Sequence, residues 1–214
     1  MVDVIIVGAG PAGLFAAFEL SRSDAKVLVI DQGKDIRDRN CPMKDRGHCF
    51  HCYPCQIMCG VGGAGAFSDG LLNLHPTIGG DLESLAKSEA WRLIDEVDSA
   101  FLRYGAPNMV IESSEYDKEQ LRRKAAAAGA RFVPINQRHM GSDRTPEIIA
   151  AFKMDLERRG VVFRLNCQAE DLIVEGERCT GIRLADGTEE KASRVLLAPG
   201  RIGAQWISIL LDRY

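Results

Sequence analysis

The stretch 1–33, MVDVIIVGAGPAGLFAAFELSRSDAKVLVIDQG, decides the fold. Val4 to Val7 is a short β-branched apolar run, as expected for a strand buried in a parallel sheet. Gly8, Gly10 and Gly13 follow as G-x-G-x-x-G. In that pattern the first glycine permits a tight turn, the second lets a pyrophosphate approach the backbone, and the third lets helix and strand pack closely. Pro11 suits a first helical turn, where its missing N–H costs little. Leu14, Ala17, Phe18 and Leu20 then recur at helical spacing. Ala25 to Ile30 reads as a second strand, and Asp31 follows at the spacing of an acid that bonds an adenosine ribose. Free amides and the dipole at the helix start attract a diphosphate. A bare GxGxxG is weak evidence, but strand, turn, helix, strand and acid in register point to a dinucleotide site.

Length and composition narrow the class. The 214 residues suit one large domain, or one domain with a smaller insertion. Apolar content of 46% and charged content of 27% are ordinary for a globular chain. A net charge of −3 argues against a general nucleic-acid or anionic-membrane surface. No apolar run approaches the ~20 residues of a membrane span. The chain enters a strand at once, so no signal peptide is expected, and the expected compartment is the cytoplasm. Clustered cysteines there suggest metal or redox chemistry rather than disulfide staples. Asp31 speaks against a 2′-phosphate, and so against NADP, at this first site.

Further elements follow from periodicity and breakers. Arg37 and Arg39 are expected near the ribose and phosphates, with solvated loop charges as the alternative. A second glycine-rich turn, GVGGAGAFSDG, spans 60–70 and precedes a short strand at 71–74; a flexible surface loop is the rival reading of that run. Helices are expected over 81–104, 119–128 and 145–159, the last with Thr145 as cap and Pro146 at its first position. Strands are expected over 131–135, 161–165, 169–175, 178–184 and 195–198, the later ones as a β-meander. Trp91 and Phe101 fit the core side of the long helix, and Cys167 and Cys179 fit small buried apolar positions.

Cys49, Cys52, Cys55 and Cys59 are spaced C-x2-C-x2-C-x3-C, with Cys41 upstream. That spacing fits a 4Fe–4S cluster, although Gly60 stands where a proline commonly follows. Zinc held by the same thiolates, or with His48 or His51 replacing one, fits as well. A redox thiol pair such as Cys52 and Cys55 is a third reading, and an inert loop a fourth. His139, in a polar stretch with Arg138 and Asp143, is a candidate acid or base, with a hydrogen-bonding loop histidine as the alternative. His75 and His51 are weaker candidates. No G-x-S-x-G, P-loop or H-E-x-x-H is present.

With these motifs the chain resembles the two-dinucleotide-binding-domain flavoproteins of the glutathione-reductase-like class, and within it the bacterial and archaeal FAD-dependent dehydrogenases. The resemblance rests on VGAGPAGLFAAFEL with Asp31, on SRVLLAPGR at 193–201, on CGVGGAGAFSDGLLNL at 59–74, and on QRHMGSD at 137–143. It implies an α/β, Rossmann-like FAD-binding fold with a parallel sheet and a β-meander, comprising 1–75 and 145–214. Residues 76–144 would be an inserted part of a substrate domain. By resemblance, FAD would be held by Gly8, Ala9, Gly10, Pro11, Ala12, Gly13 and Asp31, by Gly62, Gly63, Ala64 and Gly65, and by Ala198, Gly200 and Arg201. The implied activity is oxidation or reduction of a small molecule, with an electron carrier or NAD(P)H as the other reactant. A non-catalytic nucleotide-binding module and a zinc-stapled interaction protein are the rival readings. Flavoproteins of this class run on through a late G-D turn that no residue after Arg201 supplies, so the chain is expected to be an N-terminal portion of one. No second GxGxxG with helix and acid marks a separate NAD(P)H domain.

Overall fold

In the computed structural model, residues 2–80 and 87–214 are described, and they form two units. The first comprises Met1–Ser68 and Ile149–Tyr214, the second Asp69–Ile148.

The first unit is built on a six-stranded sheet. Strand β1 (Val2–Val7) leads into α1 (Pro11–Leu20) and β2 (Val27–Ile30), where all four side chains of β2 are buried. A four-residue helix, α2 (Met43–Arg46), interrupts the cysteine-rich loop, and a short 3-10 turn (Ala64–Phe67) ends the second glycine run. Helix α5 (Thr145–Arg158) contributes its residues from Ile149 onward to this unit. Strands β6 (Val162–Arg164), β7 (Ala169–Glu175), β8 (Arg178–Leu184) and β9 (Glu189–Leu197) follow, then a 3-10 turn (Arg201–Gly203) and α6 (Ala204–Arg213). The order is β6-β2-β1-β9-β8-β7. β6, β2, β1 and β9 run parallel, and the β7-β8-β9 meander is antiparallel.

Alternation along β1 divides the core between the two faces of the sheet. Ile5 and Val7 join Leu28, Ile30, Ile182 and Leu184 in one buried cluster, against which Trp206 of α6 packs. Ile6 turns the other way, toward the Gly13 end of α1. On that helical layer Phe15 and Phe18 of α1 meet Phe152 of α5 edge to face, at centroid distances of 5.3 and 5.7 Å. The α/β class, the parallel sheet and the meander therefore stand as the motifs implied.

The second unit holds α3 (Lys87–Arg103), α4 (Glu115–Ala127) and a three-stranded sheet of order β3-β5-β4. Its strands are β3 (Leu71–Asn73), β4 (Val110–Ile111) and β5 (Gln137–His139). Here the two motifs FSDGLLNL and QRHMGSD come together, since β3 pairs antiparallel with β5 and the Met140 N–H donates to the Gly70 carbonyl at 2.7 Å. Arg138 turns inward from β5 and grips Asp98 of α3 with two bonds, at 2.5 and 2.7 Å.

Several local expectations need correction. Residues 131–135 form no strand; the strand lies in the polar Gln137–His139 instead, where the Gln137 side-chain amide donates to Asn73 and Arg138 is fastened to Asp98. Helix α4 starts earlier than expected because Ser114 caps it, accepting from the Asp117 N–H. Thr145 does not cap α5 in that way, since its hydroxyl donates back to the Gly141 carbonyl. Phe101 is buried, but Trp91 is 37% exposed, with its ring edge-on to His75. The expected helix over 81–104 is seen from Lys87 to Arg103, and its expected residues 81–86 lie outside the described residues.

Candidate nucleotide-binding cavity

A cavity of about 920 Å³ opens in the first unit at the C-terminal ends of β1 and β2. Its volume falls in the range of ligand and cofactor sites, ~300–1,000 Å³. Four stretches converge on it: the first glycine turn, the second glycine run, the Ala198-Pro199-Gly200-Arg201 turn after β9, and Asp31 with Gln32 after β2.

The three glycines of the first turn have separate tasks. Gly8 has φ +111°, and a side chain there would collide with the Ala198 carbonyl. A Cβ on Gly13 would collide with the Gly8 carbonyl, so this glycine sets the packing of α1 on β1. A Cβ on Gly10 would meet only the Gly63 Cα, at 3.8 Å, so it would stand in the cavity itself. The first helical bond runs from the Leu14 N–H to the Gly10 carbonyl, which leaves the Ala12 and Gly13 amides at the helix start. No acid lies in this first turn to oppose an anion.

Asp31 is a junction. One carboxylate oxygen accepts from the Ala9 N–H, and the other from the Gly33 and Gly60 N–H groups, each at 2.8 Å. The first glycine turn, the turn after β2 and the end of the cysteine loop are thereby tied to one charge. A carboxylate has about four lone-pair positions, so one remains on the oxygen facing Ala9.

Arg39 anchors the same loop from the other side. Its guanidinium donates to the carbonyls of Gln56, Ile57 and Val61 at 3.0, 2.6 and 2.6 Å, and lies 4.6 Å over the Phe67 ring. It is 5% exposed, and burial pulls its pKa down to about 10 against the opposing pull of Asp31. Arg39 is therefore not a phosphate ligand; it holds backbone. Arg37 is exposed and bonded to the Met154 sulfur, so neither arginine borders the cavity.

Of the implied cofactor residues, Gly8, Gly10, Pro11, Ala12, Asp31, Gly63, Ala64, Gly65, Ala198, Gly200 and Arg201 line the cavity. Ala9, Gly13 and Gly62 stand behind it. The Ala9 N–H serves Asp31, Gly13 packs on Gly8, and the Gly62 N–H donates to the Ala9 carbonyl at 2.8 Å. Reading by motif missed Gln32, Met58, Cys167, Gln168 and Ala169, together with Ile202, Trp206 and Ile209. The last three recur at helical spacing after the APGR turn, which was the available signal.

The cysteines are spread through different environments. Cys49 and Cys52 are exposed, Cys41 and Cys55 half-buried, and Cys59 is 4% exposed against the cavity. Burial, then the Asp31 charge, pushes the Cys59 thiol above its ordinary pKa. Among the described residues no group of three or more His, Cys, Asp or Glu side chains is placed to hold a metal ion. Cys167 and Cys179 are half-buried rather than buried, and burial raises the pKa of Cys167. In the second unit, His139 stands exposed on β5, while Arg138 is committed to Asp98.

Known proteins resemble the chain in fold and in local sequence. Residues 6–68 match a family model described as an NAD(P)-binding Rossmann-like domain. The chain is 50% identical over 52 residues to a ferredoxin–NADP reductase of Rhodopseudomonas palustris, covering 24% of this chain and 13% of that protein. It is 58% identical over 40 residues to a sarcosine oxidase subunit alpha of a Corynebacterium, covering 17% and 4%. Among solved structures, glycine oxidase from Bacillus cereus superposes with TM-score 0.56 at 14% identity, over 100% of this chain and 60% of that one. The 3-ketosteroid-delta4-(5alpha)-dehydrogenase of Rhodococcus jostii gives 0.55 at 18% identity, over 91% and 45%. These likenesses show the fold, and the chain spans less than two thirds of the length of each. A second family model, described as an FAD binding domain, matches residues 81–213, more than half of the chain. The chain belongs to that FAD-binding domain family.

Proposed function

We propose that the protein is an FAD-dependent oxidoreductase, a dehydrogenase or reductase of a small molecule, whose first unit holds the adenosine diphosphate part of the flavin. The observation that carries this is the single cavity wall made by both glycine turns, Asp31 and the APGR turn. The residues fit the group, because a Cβ on Gly10 would occupy the space that a pyrophosphate needs. When bound, the flavin supplies hydride and electron transfer.

The chain's own residues bind and orient. The Ala12 amide and the α1 dipole face a diphosphate, and Arg201, which also lines the cavity, adds a positive charge. The remaining lone pair of Asp31 accepts from a ribose hydroxyl. Gly63 to Gly65 let backbone approach beside Gly10 and Pro11. His139 and the thiols of Cys49, Cys52 and Cys55 are assigned no step.

The names of the relatives support a small-molecule substrate and an electron carrier as reactants. Among the described residues no helix is long and apolar enough to cross a membrane. Seven free cysteines suit a reducing compartment, so a cytoplasmic site of action belongs to the same reading. Absorbance tests it. The purified chain incubated with FAD and freed of excess should retain flavin bands in the near-ultraviolet and blue that bleach with dithionite. A chain that emerges colourless would contradict the proposal.

A further inference from the structure

Beyond Asp31 the cavity continues to an end that the fingerprint does not describe. The Cys167 N–H donates to the Asp31 carbonyl at 3.0 Å, which places Cys167, Gln168 and Ala169 next to the ribose-facing acid. One residue further along, the Glu170 carbonyl accepts the indole N–H of Trp206 at 2.7 Å. Trp206 lies on α6, lines the same cavity and packs partly against the sheet core. Its one polar atom is thus turned into β7, and what remains toward the cavity is aromatic carbon. Ile209, also on α6, and Ile202, in the 3-10 turn before it, line the cavity too and are 47% and 46% exposed, a large apolar fraction for side chains beside a polar nucleotide site.

We infer that Trp206 is the stacking surface for the adenine base, and that Ile202 and Ile209 extend this wall. The inference rests on the flavin-site reading and deepens it. An aromatic face on α6 gives the site affinity for the base as well as for the diphosphate, and so a preference for nucleotides over free pyrophosphate. Stacking is tolerant of base identity, because every base has a π-face. Discrimination should therefore lie between base and no base rather than between adenine and guanine.

ADP and inorganic pyrophosphate are the probes, titrated into the whole chain by calorimetry. Trp206→Ala should weaken ADP about tenfold while leaving pyrophosphate unchanged, and Trp206→Phe should retain most of the ADP affinity. Fluorescence gives a second readout, since the chain has two tryptophans. In Trp91→Phe, where Trp206 is the remaining indole, ADP should quench the emission; in Trp206→Phe it should not. Unchanged ADP affinity in Trp206→Ala would overturn the inference. So would an equal loss of ADP and pyrophosphate, which would make Trp206 a prop for the cradle instead. If the unaltered chain binds ADP but Trp206 emission stays constant, the stacking role fails while the flavin-site reading stands. If the unaltered chain binds no ADP, the flavin-site reading itself fails.

Discussion

Asp31 shows how one side chain can serve the nucleotide and the protein at once. Its carboxylate spends three of its acceptor positions on amides from Ala9, Gly33 and Gly60, leaving one for a ribose hydroxyl. Asparagine keeps the shape but donates where one oxygen accepted, so at least one of these amides loses its partner. Asp31→Asn should lower stability by about 1–3 kcal/mol in denaturant unfolding. It should also weaken both ADP and 2′,3′-dideoxy-ADP, and ADP more, because misalignment affects both nucleotides but only ADP has ribose hydroxyls for Asp31 to accept from; equal losses would contradict the ribose contact. A loss confined to ADP would mean that the ribose contact is the whole role. The same charge acts on Cys59. Burial first and Asp31 second raise that thiol's pKa, so the reactive thiolate forms only above the ordinary thiol range. Brief iodoacetamide treatment at pH 8 should label exposed Cys49 and Cys52 and spare Cys59, with Cys59 labelling rising as the pH is raised further. Mass spectrometry that finds Cys59 labelled first would contradict this placement.

At the scale of elements, the β3–β5 pairing depends on a buried ion pair. Arg138, with a side chain 4% exposed, is always charged, and Asp98 compensates that charge with two hydrogen bonds that raise its pKa further. Asp98→Ala leaves the guanidinium buried without its carboxylate, a change that typically costs about 3–5 kcal/mol. Hydrogen exchange should then rise in β3 and β5, whereas amides of β1 and β2 in the first unit should stay protected. Equal exchange in wild type and variant would show that the pair carries little. This sheet also marks where sequence reading failed. Alternating or β-branched runs such as VIIV and VLVI announce their own burial, so β1, α1, β2 and the meander were legible. Gln137-Arg138-His139 carries no such pattern, because its strand is fixed by side chains 40 and 64 residues away, Asp98 and Asn73. Trp206 was missed for a related reason. Its partner, Glu170, is a backbone carbonyl 36 residues distant. The glycine and acid positions were legible because their spacing encodes local geometry. That Asp31 also ties down Gly60 was not, since the contact depends on a loop 29 residues on.

At the scale of the molecule, the first unit gathers into one cavity eleven of the fourteen residues that the resemblance implied for FAD, although they come from both ends of the chain. Arg39 and Asp31 hold the intervening cysteine loop against that cavity by its carbonyls and amides. The chain covers 45% and 60% of two solved relatives, so the nucleotide end of the site is the part whose binding this chain can be asked to show. Gly10 is the position where ligand and side chain compete for the same space without disturbing the protein's own packing. The most direct test is equilibrium binding of ADP and FAD to the unaltered chain and to Gly10→Val, with circular dichroism to verify the fold. The account predicts saturable binding of both nucleotides by the unaltered chain. It predicts a loss of about a hundredfold or more in Gly10→Val at unchanged ellipticity, since a side chain excludes the pyrophosphate outright. Equal affinity in the folded variant would place the nucleotide elsewhere and contradict the account.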